Sequence, residues 1–329
     1  MAMGAETGAY FTSNATTGVT SLDKFIPELW SDEVIAAYVK SKKMSPLVRK
    51  YSMVGKKGDT IHVPKPTRGT AYAKAEGVAV TMQANIESEL TITIDRHFEY
   101  SKLIEDFAEK QALASARQFY TQDAGEALAL QVDTDLINVF TGMGNGTRSA
   151  APTVGDWVHS HSYYFNGTTG LSTYAANTVT TGDNFTDIGF REAIKILDDL
   201  NVPMEDRKLV IPPAARKTIM GLERYVSSDF RDTGTVSSGL IGNIYGVDIY
   251  ISSNAPVLAT AGDNTASSLA TRGCLFFHTD AVIHAEQLGV RSQTQYKQEY
   301  LATLYTADTI YGVEAYRPEN GLVLAIADE

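Results

Sequence analysis

Lys56-Lys57-Gly58-Asp59-Thr60-Ile61-His62-Val63-Pro64 and, further on, Leu90-Thr91-Ile92-Thr93-Ile94-Asp95 decide how this chain is organised. The first reads as a turn over Lys56–Asp59 followed by a short strand from Thr60 to Pro64. The second alternates with period two, which places Leu90, Ile92 and Ile94 on one face of a strand. Between them, Ala71 to Ala84 is small and polar, with few bulky apolar side chains. The stretch from Tyr51 to Tyr100 therefore predicts an extended ribbon. A two-stranded ribbon is marginal in water, and this one cannot bury itself in a core of its own. It needs another surface to lie on, so it reads as an interaction arm.

Downstream, Ile104, Phe107, Ala108, Ala112, Phe119, Ala127, Leu128, Val132, Leu136 and Val139 recur mostly at steps of three and four. Ser101, with Glu105 and Asp106 in the first turn, predicts a helix start, and the pattern runs to about Phe140. About forty residues at about 1.5 Å each make a helix of roughly 60 Å, long for a globular protein. Gly125 lies in its middle, at a cost of about 1 kcal/mol, and is a place for a bend. Asp133 and Asp135, two apart, do not share a helix face and read as solvated or interfacial surface. Gly142-Met143-Gly144-Asn145-Gly146 stops the helix, and the Gly- and Thr-rich residues 143–185 read as an elaborated loop.

Upstream, residues 1–20 are small and polar and predict an arm without a fold of its own. Ser31, followed by Asp32 and Glu33, predicts a helix start, with an end near Lys43 because Pro46 blocks continuation. Beyond the loop, Thr186 or Asp187 caps a helix through Leu200, with Ile188, Phe190, Ile194 and Leu197 apolar and Pro203 after its end. Lys208–Ile211 predicts a strand, Ala214 to about Arg224 a helix behind Pro212-Pro213, and Gly246–Ile251 an alternating strand. The last third is extended, with strands in Leu275–Ala285 and a tyrosine-rich run from Tyr296 to Tyr316. Asn320-Gly321 predicts a tight hairpin turn into Leu322–Ile326, because Asn-Gly tolerates positive φ.

Acids outnumber Lys and Arg by 39 to 28, a net charge of −11, and no basic run is interleaved with aromatics. That balance argues against a phosphate-gripping protein. The single cysteine, Cys274, excludes an intrachain disulfide and a thiolate metal cluster; in Cys274-Leu275-Phe276-Phe277 it reads as a small buried hydrophobe. Met1–Thr20 has no apolar core of a secretory signal, and no stretch approaches the ~20 apolar residues that span a bilayer. The expectation is a soluble protein of a reducing compartment.

The parts now have an order: arm, ribbon, one very long helix, a compact α/β insert and a return to strands. Specific words accompany them: Phe25-Ile26-Pro27-Glu28-Leu29-Trp30-Ser31-Asp32-Glu33 in the arm and Lys57-Gly58-Asp59-Thr60-Ile61-His62-Val63-Pro64 in the ribbon. Ile92-Thr93-Ile94-Asp95 precedes the helix holding Tyr120 and Gly125-Glu126-Ala127-Leu128. Then come Gly242-Asn243-Ile244-Tyr245-Gly246-Val247-Asp248-Ile249-Tyr250 with Asn254 beyond, Leu275-Phe276-Phe277-His278-Thr279-Asp280-Ala281, and Tyr311-Gly312-Val313-Glu314-Ala315-Tyr316-Arg317-Pro318-Glu319. In this order, over nearly the whole chain, the sequence resembles the major capsid proteins of tailed bacteriophages with the Hong Kong 97-type fold, and most closely those of short-tailed podoviruses.

That resemblance implies an α+β subunit with an N-terminal arm (1–52), an E-loop (53–100) and a P-domain (101–185) whose spine helix covers about 102–140. It further implies an A-domain (186–271) and a return to the P-domain with C-terminal strands (272–329). The implied function is a shell subunit, not an enzyme, that forms hexamers and pentamers in an icosahedral head and changes conformation as the procapsid matures. The implied partners are other copies, a separate scaffolding protein, a portal at one vertex, a decoration protein and enclosed double-stranded DNA that is not read by sequence; no membrane is involved. The implied place is the virion, assembled in the host bacterial cytoplasm. A cellular encapsulin shell is the alternative with the same fold.

No catalytic, cofactor-binding or metal residue is expected, and no cofactor. His159-x-His161, and His278-x-Asp280 with His284-x-Glu286, have ligand spacing on a strand, but six histidines produce such spacings by chance. Gly142, Gly144 and Gly146 follow a helix rather than a strand, which excludes a phosphate loop. The sequons at Asn14, Asn145, Asn166 and Asn184 mean little without a secretory route. Some relatives crosslink an E-loop lysine to an asparagine of another subunit. Lys56, Lys57, Lys65 and Lys74 lie in that region, yet no motif sets an asparagine and an acid around one of them, so no crosslink is expected. The candidate subunit contacts are Phe25, Trp30, Lys56, Lys57, Lys65, Arg68, Lys74 and Arg96.

Overall fold

Gly273–Phe277 within Thr271–His278, and the whole of Gly321–Ala327, are apolar runs, the pattern of strands covered on both faces. In the computed structural model they pair as central strands of an eight-stranded mixed sheet. The structure describes residues 43–54, 58–66, 69–80, 82, 87–106, 116–167, 170–176, 178–222, 242–260 and 270–328. Residues 1–42 of the expected arm, with all but the end of its helix from Ser31, residues 107–115 of the long helical pattern and all of 223–241 lie outside these residues.

The strands are β1 (Arg49–Ser52), β2 (Thr60–Pro66), β3 (Glu87–Thr93), β4 (Arg96–Glu105), β5 (Ser162–Asn166), β6 (Gly170–Thr173) and β7 (Arg207–Ile211). They continue with β8 (Asn243–Ile244), β9 (Val247–Ile251), β10 (Val257–Ala259), β11 (Thr271–His278), β12 (Val282–Lys297), β13 (Ala302–Ala315) and β14 (Gly321–Ala327). The α-helices are α1 (Ala116–Asn138), α2 (Asp187–Asp199) and α3 (Pro213–Ile219).

The eight-stranded sheet runs β6-β5-β14-β11-β7-β9-β8, with β10 pairing the Thr271–Arg272 end of β11 beyond β7. Strand alternation divides its side chains into two cores. Leu209, Ile211, Cys274, Phe276, Leu322, Leu324 and Ile326 meet Phe190, Ala193 and Leu197 of α2 and Ala215 and Ile219 of α3. Val210, Leu275, Phe277, Val323 and Ala325 meet Leu136 and Ile137 at the end of α1 and Val139 and Phe140 of the 3₁₀ turn that follows it, Val139–Gly142. The second core continues into Val282, Tyr311 and Val313 of a four-stranded sheet, β1-β12-β13-β4. Further up α1, Ala124 and Leu128 lie on Tyr305 and Ala307 of that sheet. Its opposite face takes the root of the β2-β3 ribbon, where Ile92 packs with Ile283 and Ala285.

Four expectations are corrected. The helix does not begin at Ser101: Arg96–Glu105 is a strand paired with β13 from Tyr311↔Arg96 to Ala302↔Glu105. Phe98, Tyr100 and Ile104 are its inward positions, and pairing along ten residues outweighs a local helical pattern. Residues 143–185 are more than a loop: they hold a 3₁₀ turn at Val154–Trp157 and β5 and β6, which extend the eight-stranded sheet through β14. Asn320-Gly321 makes no hairpin. Pro318–Asn320 is a 3₁₀ turn, Gly321 has φ −136°, and the chain passes there from one sheet to the other. The glycine serves a close approach instead, since a Cβ on Gly321 would lie 2.9 Å from Met143 Sδ. Ile188 is 53% exposed rather than buried, and Ala193 takes the inward place on α2. The Thr186 cap is as expected, its hydroxyl accepting from Gly189 N–H.

Candidate subunit-contact surface

The ribbon loses its cover along its length. Ile92 at the root is fully buried, Ile61, Val63 and Leu90 are half-buried, and every residue from 69 to 80 is exposed. The root is tied down by Ile94 N–H to Asp59 O (2.8 Å) and by Gln287 Nε2 to Gly58 O (2.8 Å). Cross-strand pairing continues to Pro66↔Glu87. Beyond it Tyr72, Val78, Val80 and Met82 stand 59–91% exposed, large apolar side chains with nothing over them.

Beneath the ribbon a groove of about 550 Å³ opens, lined by Val63, Pro64, Lys65, Ser88 and Leu90 on one side. Tyr316, Arg317, Pro318, Glu319 and Asn320 of the corner between the sheets line the other. Beside it Arg49 stacks over Tyr51 and Tyr316 (5.5 and 5.1 Å) and bridges Asp280 at 3.1 Å, while Arg317 covers Tyr316 at 5.7 Å. Such cation–π contacts stiffen the groove wall.

The body behind this surface is pinned by two buried carboxylates. Asp133 Oδ1 accepts from the N–H groups of Lys43 (2.9 Å) and Met44 (2.7 Å), and its Oδ2 accepts from Asn254 Nδ2 (3.1 Å). Asp135 accepts from Tyr311 OH (2.8 Å) and Gln131 Nε2 (3.1 Å). The two do point different ways, but at 1% and 3% exposure they are interior clamps, which corrects their reading as surface. Burial and the Asp135 carboxylate push the Tyr311 phenol well up. On β13, Asp308 takes a two-pronged bond from Arg291 (3.0 and 2.7 Å), which holds its carboxyl below the usual range.

Of the candidate contacts, Phe25, Trp30, Lys56, Lys57 and Arg68 lie outside the described residues. Lys65 and Lys74 are exposed, on the ribbon strand and its tip, with Lys65 at the groove. Arg96 is turned inward at the ribbon root, its side chain 17% exposed and 3.5 Å from Asp95. The Tyr316–Asn320 corner had no signal in its own segment; only the fold brings it beside the ribbon.

His159 and His161 sit in the turn before β5, not on a strand, and burial with His161 nearby lowers His159 to about 4. His278 Nδ1 accepts from Asp280 N–H at 3.1 Å as a local cap. Among the described residues no three His, Cys, Asp or Glu side chains converge as a metal site would require, and no described helix is long and apolar enough to cross a membrane.

Comparison with known structures matches the whole architecture. The chain superposes on a structure from Mycobacterium phage Che8 with TM-score 0.69 at 22% identity, covering 91% of this chain and 97% of that one. The capsid of cyanophage P-SCSP1u gives 0.71 at 19% identity, with 97% of each chain covered. The capsid asymmetric unit of cyanophage Pam1 gives 0.70 at 14% identity, covering 92% and 96%. No curated protein matches by sequence. The family described as phage capsid protein matches residues 24–326, nearly the full length. With that span and an α+β fold shared with phage capsid structures, the chain belongs to the phage capsid protein family.

Proposed function

We propose that this protein is the major capsid protein of a tailed phage, assembling as hexamers and pentamers into the icosahedral head around packaged double-stranded DNA. The observation that carries the reading is the ribbon. Its apolar face is covered at the root and bare at the tip, so a single chain leaves Tyr72, Val78, Val80 and Met82 in water. Lying over a neighbouring copy would bury them, and repetition around a closed shell multiplies a weak contact. A structural rather than enzymatic role agrees with the family. The E-loop, spine helix, P-domain and A-domain divisions are assigned on this reading, as are a scaffolding protein, a portal, a decoration protein and assembly in the bacterial cytoplasm. The short-tailed podovirus affinity rests on the sequence words quoted above. Net negative charge suits a wall that confines DNA without gripping it.

Replacing residues 67–86 by a short turn tests this, because Ile61, Val63, Leu90 and Ile92 keep the root packed. The variant is expected to fold as a monomer and to form no shells when co-expressed with its phage's assembly proteins. Normal particles from it would sink the ribbon's role. Uniform small shells from the unaltered chain expressed alone would favour the encapsulin reading.

A further inference from the structure

His284 is among the most deeply set titratable groups of the described chain that no part of the shell reading uses. It lies on β12 at 6% exposure, and no protein group hydrogen-bonds to either ring nitrogen. Its ring meets Tyr311 edge-on, 5.7 Å between centroids. Tyr311 OH in turn donates to Asp135 of α1 at 2.8 Å, and that bond is a tie between the helix and the four-stranded sheet. The strand has two loaded faces. His284 and Glu286 lie on the side of Tyr311 and Val313, towards α1, whereas Ile283 and Ala285 lie under Ile92 at the ribbon root.

We propose that His284 is an acid-sensitive release on the join between α1 and the four-stranded sheet, holding the join while neutral and loosening it when protonated. The groups around it define what a proton would meet. Lys50 pairs directly across on β1 and repels an imidazolium; Glu286 on its own strand attracts it. Val313 stands directly across on β13 and Tyr311 diagonally, opposite Glu286, with Asp135 behind it on α1; Asp95 and Arg96 act on Tyr311 from the β3–β4 corner. An imidazolium has two N–H donors to satisfy. The neighbouring carboxylates are Glu286, on the rim, and Asp135, already taken by Tyr311 and Gln131. Reaching either one moves the Tyr311 ring or the strand, and the strand carries the ribbon root on its back.

The direction of the pH effect follows. Burial holds the His284 imidazole below its ordinary value, with Lys50 adding to it and Glu286 opposing. The unfolded or loosened chain therefore binds the proton more readily than the closed one. The join is at full strength above about pH 6.5, the ordinary histidine value, and weakens as pH falls below it towards the folded value.

The test uses the full chain, unassembled, and so does not depend on the shell reading. Amide hydrogen exchange is compared at about pH 7.5 and about pH 5, corrected for intrinsic rates, with ring titration of His284 followed by NMR. Exchange in Val282–Glu286, in Tyr311–Val313 and in α1 is expected to rise about tenfold or more at the lower pH, together with proton uptake at His284. His284→Phe keeps the aromatic contact, loses no hydrogen bond and is expected to lose that rise. His159→Phe is expected to keep it. Acid loosening that persists in His284→Phe, or that disappears only in His159→Phe, overturns the proposal. Should His284→Phe not fold, the unaltered chain still decides. A His284 ring that titrates at the ordinary value without any change in exchange overturns it too.

Discussion

Asp133 shows how one side chain can fix where three distant segments meet. Its two oxygens hold the chain at Lys43 and Met44 and the Asn254 turn against α1, across sequence separations of 90, 89 and 121 residues. Asp133→Ala leaves the buried Met44 N–H, the part-buried Lys43 N–H and one of the two N–H groups of the Asn254 amide without their acceptor, the other still reaching Thr134 Oγ1, and is expected to cost about 3 kcal/mol. Urea unfolding followed by far-UV dichroism measures it; a loss under about 1 kcal/mol would mean water replaces the carboxylate at little cost. Tyr311→Phe removes only the phenol bond to Asp135 and is expected to cost about 1–2 kcal/mol. Neither role was legible in the sequence. An aspartate on a helix reads as polar surface, and the groups that make these two interior are supplied by residues far along the chain.

Two glycines on different elements carry opposite expectations for the same substitution. A Cβ on Gly312 of β13 would land on the Thr93 carbonyl oxygen and lie 3.1 Å from Ile94 Cα, the backbone of the ribbon root, which cannot give way as a side chain can. Gly312→Ala is expected to cost about 1–3 kcal/mol and to speed amide exchange in β2 and β3 while leaving the eight-stranded sheet protected. A Cβ on Gly125 of α1 meets nothing within 4 Å, so Gly125→Ala is expected to stabilise by up to about 1 kcal/mol. Thermal unfolding distinguishes the two signs. Most elements were legible from local pattern: the ribbon from its alternation and small-residue tip, α2 from its Thr186 cap, and the Cys274–Phe277 stretch of β11 and the whole of β14 as apolar runs. The misreadings arose where pairing partners are remote. Ser101–Glu105 carries acids and an apolar spacing that suit a helix, but β13 supplies ten residues of ladder two hundred positions downstream. Asn320-Gly321 has the residues of a hairpin, yet β13 is already paired on both edges, so the following strand goes to the other sheet. Only the ribbon strands and tip were legible in the contact surface, because the groove's far wall comes from Tyr316–Asn320.

At the scale of the whole molecule, the question is whether two sheets and their helices open together. Cys274 reports on this without any added probe. It is fully buried in β11, between the strand neighbours β14 and β7, and faces the layer of α2 and α3. Burial alone drives its thiol far above the usual range, so the native state holds almost no reactive thiolate. Labelling by a thiol reagent then requires an opening that exposes the central sheet, and is expected to be at least about a thousandfold slower than in denaturant. The core on the other face of that sheet joins it to α1 and the four-stranded sheet through Phe140, Phe277 and Tyr311. If both layers open as one unit, Asp133→Ala should speed Cys274 labelling by the full factor its stability loss implies, about 150-fold for about 3 kcal/mol. Shortening the ribbon at 67–86 should leave the rate unchanged, because the described residues there, 69–80 and 82, are all exposed. Unchanged labelling in Asp133→Ala, despite a measured loss in urea, would instead show that the α2–α3 layer opens separately from the helix and sheet that carry the ribbon.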